Sequence, residues 1–181
     1  MFTNPVINSI LEKEGAYVNH ANDLGGETCW GITEKVARKH GYVGEMKDLS
    51  KEEAYRILED DYWRSPGFDK VHDLAPLLAL EMCDAGTNIG TGLPIRWLQR
   101  WLNAYNNQQK YYPDIVVDGI IGSKTLSSLE SFLKKRQPHG ENVLTRSLNC
   151  SQGHYYLELA EKREQNESFI YGWIDHRVTL I

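Results

Sequence analysis

Residues 12–33 read EKEGAYVNHANDLGGETCWGIT, and this stretch decides how the first half of the chain folds. It starts in the last turn of a short apolar helix and ends at the run WGIT (30–33), which leads into the next helix. Between them lies a run of Asn, Asp and Gly, which are residues that tolerate left-handed backbone angles. The pattern predicts a loop over 19–26 and a short strand or hairpin arm over 27–32.

The helix before this loop has clear start and stop signals. Asn4 can cap its first turn, and Pro5 suits the first helical position because the N–H that it lacks would be unpaired there. Glu14 lies on the apolar stripe of this helix, whereas Glu12 does not, and Gly15 is the expected C-terminal cap. The stripe itself consists of Val6, Ile7, Ile10 and Leu11.

Two effects are expected to raise the pKa of Glu14. Its place on the apolar stripe implies partial desolvation, and its place at a helix C-terminus sets it against the negative end of the helix dipole. A carboxyl that stays protonated near neutral pH is the group that glycoside hydrolysis needs to protonate the leaving oxygen. The alternative interpretation is a carboxylate that extends into solvent from a frayed helix end.

The loop supplies possible partners for Glu14. Asp23 lies nine residues further on, in a turn that should be solvated, so its carboxylate should stay ionised. Thr28 adds a hydroxyl five residues later. Two carboxyls in contrasting surroundings are the arrangement that separates an acid from a base. Taken alone, Asp23 is more often a turn former, and only the combination of the three residues favours catalysis.

The rest of the pattern is helical. Thr33 can cap a helix over 34–40, and Ser50 with Glu53 forms a capping box for a helix that runs to about Trp63. Ser123 is expected to cap a later helix. The stretch GTGLP (90–94) is the best candidate for a domain boundary. Further helices are predicted over 76–88, 94–105, 123–133 and 142–166. The sequence predicts a mainly α architecture with one small β element in the opening loop.

The sequence leaves the surroundings of one helix end open, and it makes one prediction about how the C-terminus packs. On the predicted helix over 76–88, Asp84 and Asn88 end an otherwise apolar line, which is either a helix end reaching solvent or part of a cleft. At the C-terminus, we expect Phe169, Ile170, Trp173 and Ile174 to pack back onto the core.

Composition excludes several partners. The 181 residues are 41% hydrophobic and 25% charged, with a net charge of −5, which argues against nucleic acid because phosphate binding needs a basic surface. No apolar run reaches the roughly 18 residues of a membrane span, so no stable membrane insertion is expected. The first residues lack a secretory signal pattern. We therefore expect synthesis in the cytoplasm without a signal peptide, followed by export.

Other chemistries fit the sequence poorly. The six histidines form no metal-binding motif, so neither a metal site nor any cofactor is expected. No G-x-S-x-G motif is present for a serine hydrolase. Cys29, Cys83 and Cys150 form no C-x-x-C pair, and Cys29 is interpreted as a buried packing residue because no histidine partner is indicated.

Several blocks, taken in order, resemble glycoside hydrolase family 108, whose members are peptidoglycan muramidases among phage-type endolysins and secretion-associated muramidases. These blocks are EGAYVN (14–19), DLGGET (23–28), WGIT (30–33), DYW (61–63) and DAGTNIG (84–90). The second half is similar to the peptidoglycan-binding domain that accompanies this catalytic lobe, at 95–102, VDGIIG (117–122), 125–126 and GWI (172–174). The resemblance covers nearly the whole chain.

The resemblance implies a lysozyme-like α fold with a helical peptidoglycan-binding lobe. It also implies hydrolysis of the β-1,4 bond between N-acetylmuramic acid and N-acetylglucosamine, with the family's catalytic glutamate, aspartate and threonine at Glu14, Asp23 and Thr28. Two positions depart from the family pattern. Ala16 stands where Gly usually follows, and Asn22 stands near a usual Pro or Asp, so the loop geometry can differ.

The expected domains are a catalytic lobe over 1–92 and a wall-binding lobe over 93–181. Sugar rings stack on aromatic side chains, and the candidate substrate-binding residues are Trp30, Tyr62, Trp63, Asn88, Tyr111 and Asp118. The expected partners are peptidoglycan glycan strands and stem peptides, together with a holin-like or other export partner.

The expected role is cell-wall remodelling linked to protein (toxin) release or to lysis, in the periplasm or cell wall. Two alternatives stay open. A lytic transglycosylase would use the same glutamate without water, and a non-catalytic peptidoglycan-binding module would bind the wall without cleaving it.

Overall fold

The computed structural model describes residues 4–14, 17–18 and 27–178, and only the backbone of residues 13, 14, 17 and 18. The chain divides into two compact units, Met1–Ser65 and Pro66–Ile181, and each is described by itself. The described part is mainly α with one small antiparallel sheet, as the sequence predicts. None of its helices is long and apolar enough to cross a membrane.

The first unit opens with α1 (Pro5–Glu14). The side-chain oxygen of Asn4 accepts hydrogen bonds from Val6 N at 2.9 Å and Ile7 N at 3.3 Å, which confirms the predicted cap. The Asn4 backbone N–H donates to the Tyr55 hydroxyl at 3.0 Å, so this cap is anchored to a distant helix. Ile7 and Leu11 are buried, as predicted for the apolar stripe.

A three-stranded sheet follows, formed by β1 (Tyr17–Val18), β2 (Thr28–Cys29) and β3 (Ile32–Thr33). β2 and β3 are joined by Trp30 and Gly31, both at positive φ, at 56° and 74°. Two left-handed residues between antiparallel strands form the tight turn that matches the twist of a hairpin. The predicted single strand or hairpin arm over 27–32 is therefore interrupted at Trp30 and Gly31, and two short strands form a hairpin there.

The remaining helices of the first unit are α2 (Glu34–Lys39) and α3 (Lys51–Glu59), with a 3₁₀ turn at Met46–Asp48 between them. The Thr33 hydroxyl caps α2, and Ser50 and Glu53 form the predicted capping box of α3. The chain stays helical to Arg64, close to the predicted end at about Trp63. Beyond α3 the backbone changes to a π-helical turn over Asp60–Arg64, in which Ser65 N bonds to Asp60 O at 2.9 Å.

The second unit begins with α4 (Phe68–His72) and α5 (Pro76–Ile89). The predicted helix 76–88 is present, but its inner face differs from the apolar line that leads to Asp84. Leu77 is 38% exposed and Asn88 is exposed. The buried side chains are instead Leu78, Ala79, Met82 and Cys83. α5 packs against α4, α6 and α8, so these contacts decide which face is covered.

Three further helices complete the core of this unit: α6 (Gly92–Tyr105), α7 (Ser123–Lys135) and α8 (Gly140–Lys162). α8 packs against α5, α6 and α7. Their shared core consists of Leu98, Leu102, Leu129, Phe132, Leu144 and Leu148. The buried face of α6 includes Ile95, Leu98 and Leu102, and the polar Gln99 is buried as well.

Three predictions for these helices are wrong. Ser123 is the first residue of α7 rather than its cap, and the cap position belongs to Gly122, which has no side chain to accept a hydrogen bond. α8 ends at Lys162 rather than at about Asn166, because the chain turns through a 3₁₀ segment at Glu164–Asn166.

The third concerns α9 (Glu167–Arg177), which contains no buried residue. Phe169 is 56% exposed, whereas Trp173 is half-buried with its ring centroid 5.3 Å from that of Tyr156. One face of α9 packs against α8 and the preceding 3₁₀ turn. Apolar side chains on its other face, such as Phe169, stay exposed to solvent.

Candidate active site

The predicted acid, Glu14, is the last residue of α1, which confirms its expected place at the helix end. Its side chain and the expected Gly15 cap lie outside the described residues. Asp23 and the whole segment 19–26 also lie outside them. The pairing of these two carboxyls therefore remains a prediction.

Thr28 is described, and it lies on the middle strand of the sheet. It pairs with Val18 on β1 and with Thr33 on β3. β1 begins at Tyr17, three residues after Glu14, so the two Cα atoms are at most about 11 Å apart. The backbone thus connects the end of α1 directly to the strand that pairs with Thr28. The segment that contains Asp23 joins the same two strands, β1 and β2.

Trp30 occupies the first left-handed position of the β2–β3 turn. Its indole N–H donates to Leu49 O at 2.9 Å, and Lys51 Nζ lies 5.9 Å from its ring centroid. Left-handed backbone is costly for a residue with a large side chain, so the hydrogen bond to Leu49 helps to hold this turn. The orientation of the indole is therefore fixed by the fold of the first unit.

Tyr62 and Trp63 lie together on the π-helical turn, and both are half-buried. Burial raises the pKa of the Tyr62 hydroxyl, and the charge of the neighbouring Asp61 carboxylate adds to that shift. Single π turns often occur at functional sites because the wider turn redirects consecutive side chains. Helical periodicity alone could not have predicted this change of backbone.

Sequence reasoning missed a cluster that joins the end of α2 to the π-helical turn. His40 Nε2 lies 3.0 Å from Asp61 Oδ1, and His40 Nδ1 lies 3.7 Å from Asp60 Oδ2. Within the described residues, these three form a group that could hold a metal ion, with ligand atoms within 4.8 Å of one another. However, Lys39 Nζ is 3.7 Å from Asp61 Oδ1, so a cation already faces that carboxylate. The His40–Asp61 hydrogen bond and the Lys39–Asp61 ion pair account for this geometry.

The other predicted binding residues lie in the second unit. Asn88 is exposed near the end of α5. Tyr111 is half-buried, with Lys135 Nζ 4.9 Å and Arg136 Cζ 5.5 Å from its ring centroid. The first unit thus carries Thr28 and three candidate aromatics, and the second unit carries the remaining candidates.

Asp118 is held within a network that the sequence did not reveal. Its Oδ1 accepts hydrogen bonds from Gln99 Nε2 at 2.7 Å and from Ile120 N at 2.9 Å. The same Gln99 side chain bonds to Gly119 N and to Thr125 Oγ1. The bond from Gln99, followed by that from the Ile120 backbone, lowers the pKa of Asp118. These bonds fix the shape of the loop before α7.

The cysteines agree with the packing interpretation. Cys29 and Cys83 are buried, Cys150 is exposed, and all three are free thiols. Burial raises the pKa of Cys29, which disfavours the thiolate that a nucleophile requires. Burial and, to a lesser extent, the charge of Asp84 raise the pKa of Cys83 to about 12.

Two protein families match the chain in succession. Glycosyl hydrolase 108 matches residues 7–90, and a predicted peptidoglycan domain matches residues 93–178. The chain contains a glycosyl hydrolase 108 domain. It is therefore a glycoside hydrolase that carries a peptidoglycan domain, and peptidoglycan is its substrate. Its place of action is accordingly the cell wall.

The solved structure of Brucella abortus SagA is similar to this chain. The match covers 92% of each chain, with a TM-score of 0.52 and 21% sequence identity. At this identity the likeness shows a shared fold. No curated protein matches the chain.

Proposed function

We propose that the protein is an N-acetylmuramidase that hydrolyses the β-1,4 bond between N-acetylmuramic acid and N-acetylglucosamine in peptidoglycan. The observation that carries the proposal is the glycosyl hydrolase 108 match over residues 7–90, within which α1 ends at Glu14. The strand with Thr28 pairs with the strand that follows Glu14, so the chain order of the three proposed catalytic residues fits one site.

Each proposed catalytic residue has a separate role. Glu14 is the general acid, since the negative end of the helix dipole favours its protonated form. Asp23 activates water as the base or stabilises positive charge on the sugar in the transition state. Thr28 positions the water or the sugar. Proton donation to the leaving oxygen and attack by water together break the glycosidic bond and leave a reducing end.

The proposed division of labour is a catalytic lobe over 1–92 and a wall-binding lobe over 93–181. The two family matches, over 7–90 and 93–178, support this division. Trp30, Tyr62, Trp63, Asn88, Tyr111 and Asp118 are the proposed substrate contacts. Glycan strands would occupy the first lobe, and stem peptides would be recognised by the second.

The proposed cellular role is wall remodelling linked to protein (toxin) release or to lysis. Such a role requires the enzyme to reach the periplasm, and a holin-like or other export partner is part of this proposal.

The decisive test replaces Glu14 by Gln, which keeps the shape of the side chain and removes its acid. Loss of a general acid lowers the rate by about a hundred- to ten-thousand-fold. Release of reducing ends from purified peptidoglycan measures this rate. The matched control is Glu12→Gln, because Glu12 is exposed two residues earlier on the same helix.

Normal activity in Glu14→Gln would overturn the assignment of the acid. Mass spectrometry of the products separates hydrolysis from transglycosylation, since a hydrolysed product is heavier by one water than a 1,6-anhydro product. Release of anhydro products alone would replace the hydrolase by a lytic transglycosylase. Binding to the wall with no product from the wild-type protein would identify a non-catalytic module.

A further inference from the structure

A histidine at the end of α2 contacts the π-helical turn that carries two of the proposed substrate contacts. His40 Nε2 lies 3.0 Å from Asp61 Oδ1, although the two residues are 21 positions apart in the chain. Tyr62 and Trp63 follow Asp61 directly on the turn. The His40–Asp61 bond therefore joins the end of α2 to the point where these two aromatic side chains leave the backbone.

The backbone of the first partner, His40, is held by the end of α2. His40 N bonds to Val36 O at 3.2 Å and to Ala37 O at 3.1 Å. The next residue, Gly41, has a φ of 81°, which turns the chain out of the helix, and its N–H bonds to Arg38 O at 3.0 Å. The imidazole thus extends from a hydrogen-bonded helix end rather than from a loop.

The two nitrogens of the His40 ring face two different carboxylates. Nε2 contacts Asp61, whereas Nδ1 lies 3.7 Å from Asp60 Oδ2. An ionised carboxylate can only accept hydrogen bonds, so Nε2 is the donor in the short contact. The contact with Asp60 is too long for a hydrogen bond and adds attraction only when the ring is protonated. The bond to Asp61 is therefore the one that holds the turn.

The surroundings of the ring leave its orientation to this bond. The His40 side chain is 16% exposed and that of Asp61 is 28% exposed, so water has limited access to the bond between them. A cavity of about 270 Å³ adjoins the ring between the end of α2 and α3. Because open space lies beside the ring, packing alone does not fix its orientation.

Several charged or titratable groups lie around the ring and the cavity. They come from α2 and the residues after it, from α3 and from the π-helical turn, and they are Lys39, Tyr42, Glu53, Arg56, Asp60 and Asp61. Lys39 is the second group that reaches Asp61, at 3.7 Å, and its side chain is 74% exposed. An exposed ion pair of this length contributes little, so His40 is the stronger partner of Asp61.

The π-helical turn needs support because π-helical spacing is rare in proteins. Within the turn, the Arg64 guanidinium bonds to Glu59 Oε2 at 3.0 and 3.1 Å, and this contact is exposed. The His40–Asp61 bond adds support from a different helix. Without it, the turn should relax towards α-helical spacing, which would rotate Tyr62 and Trp63 about the helix axis.

We propose that His40 is a positioning residue for glycan binding, and that it acts through Asp61 by holding the π-helical turn that presents Tyr62 and Trp63. This inference rests on the proposed function, in which both aromatic residues contact the substrate. In this role His40 itself touches no sugar. When the bond is lost, only the fraction of molecules that keeps the turn in its binding arrangement takes up glycan, so the apparent affinity falls by that fraction.

Steady-state kinetics on soluble, uncrosslinked peptidoglycan chains test the proposal. His40→Leu removes the bond and keeps a side chain of similar size. We expect KM to rise about tenfold, which corresponds to about 1.4 kcal/mol, and kcat to stay within about twofold of wild type. His40→Gln should restore KM, because its amide N–H can take the position of Nε2. His40→Asn should not, because its shorter amide reaches only the position of Nδ1.

Two comparisons separate this bond from a general loss of charge or of stability. Lys39→Gln removes the ion pair with the same carboxylate and should leave KM within about twofold of wild type. Asp61→Leu should raise KM as much as His40→Leu, and the double variant should be no worse than either, because each change removes the same bond. Thermal unfolding shows that each variant is folded, and His40→Asn replaces His40→Leu if the latter is not.

Fluorine NMR follows the turn without any catalysis. In protein labelled with 5-fluorotryptophan, the Trp63 resonance is identified by its absence from Trp63→Phe. We expect His40→Leu to shift or broaden this resonance, because the turn that carries the indole changes its arrangement. His40→Gln and Lys39→Gln should leave it as in the wild-type protein.

An unchanged KM in His40→Leu, additive effects in the double variant, or an unchanged Trp63 resonance would overturn the proposal. The proposed enzyme is tested separately, because Glu14→Gln should lower kcat and leave the Trp63 resonance unchanged. Absence of cleavage by the wild-type protein, with a Trp63 resonance that depends on His40, would refute the muramidase and keep the role of His40 in holding the turn. Normal cleavage with a KM and a resonance that are independent of His40 would refute that role and keep the muramidase.

Discussion

The two compact units of this protein are stabilised in different ways. In the first, many of the described side-chain hydrogen bonds are local, as in the bond of Ser50 with Glu53 and that of Thr33 with Val36. The first unit also has longer links, of which the bond from Asn4 N to the Tyr55 hydroxyl spans 51 residues. In the second, bonds that span 63 to 93 residues join α5 to α8 and α9. Glu141 Oε1 accepts from Leu77 N at 2.7 Å, which caps the start of α5 from a helix 64 residues away.

In this protein the boundary between the two family matches and the boundary between the two compact units lie at different places in the chain. The glycosyl hydrolase 108 match extends to residue 90, whereas the first compact unit ends at Ser65. α4 and α5 therefore match the hydrolase family but pack within the second unit. Arg177 on α9 also bonds to Asp84 on α5 at 2.7 Å, which adds a second long-range link to this helix.

The largest expected effect comes from cutting the chain between the two family matches. A fragment over 93–181 lacks α5, whose Leu78, Met82 and Cys83 are fully buried in the second unit. Each such side chain stabilises the fold by roughly 1.5 to 3 kcal/mol, so their loss is comparable with the stability of a whole domain. We expect no cooperative thermal transition in this fragment, measured by circular dichroism.

The control for that experiment is a fragment over 66–181, which retains α4 and α5. It should unfold cooperatively because it corresponds to the whole second unit. Equal melting temperatures for the two fragments would show that the family boundary is also the packing boundary.

A smaller effect is expected from two neighbouring leucines on α5. Leu78→Ala leaves a cavity in the core and should destabilise the protein by about 2 to 5 kcal/mol. Leu77→Ala changes a partly exposed side chain and should stay within about 0.5 kcal/mol of wild type. Urea denaturation measures both values. A larger loss for Leu77→Ala would mean that the apolar line predicted from sequence is the inner face.

The smallest expected losses of stability come from two substitutions that remove hydrogen bonds. One bond, from Gln99, joins a helix to a distant loop, and the other, from Ser50, is a local helix cap. Gln99→Leu leaves Gly119 N–H and other loop groups without their hydrogen-bond partner. It should lower the free energy of unfolding by about 1 to 3 kcal/mol. Ser50→Ala removes one helix cap and should lower the free energy of unfolding by about 1 kcal/mol. Both are measured by urea denaturation.

The Gln99 variant has a second readout in acid. The pKa of Asp118 is lower in the folded chain than in the unfolded chain, so its bonds stabilise the fold at neutral pH. That contribution is lost as the pH falls from the usual aspartate range through the lowered value. Gln99→Leu should weaken this acid dependence, whereas Ser50→Ala should retain it. Identical pH profiles for both variants would assign the effect to another carboxyl.

Local signals predicted much of the fold correctly. Asn4 with Pro5 fixed the start of α1, and Ser50 with Glu53 fixed the start of α3, because each cap bonds to a backbone group within one turn. Local signals failed where competing interactions lay elsewhere. The π-helical turn after Glu59 and the buried face of α5 were both missed for this reason.

The residues of the candidate site also divide into those that local signals predict and those that only packing reveals. The end of α1 at Glu14 could be predicted, because helix stop signals depend on adjacent residues. The turn at Trp30 and Gly31, within a stretch expected to be one strand or hairpin arm, was missed. The His40–Asp61 pair and the Gln99–Asp118 bond could not, since nothing near either residue in sequence indicates its partner.

The sequence by itself therefore determined the helical class, most of the local caps and the order of the family blocks. These depend on backbone angles and on hydrogen bonds that close within a few residues. Only the tertiary structure decided which face of α5 is buried and which loop Gln99 holds. It also decided that Arg177 on α9 pairs with Asp84 on α5. Each of these depends on surfaces that helices cover only when they pack together.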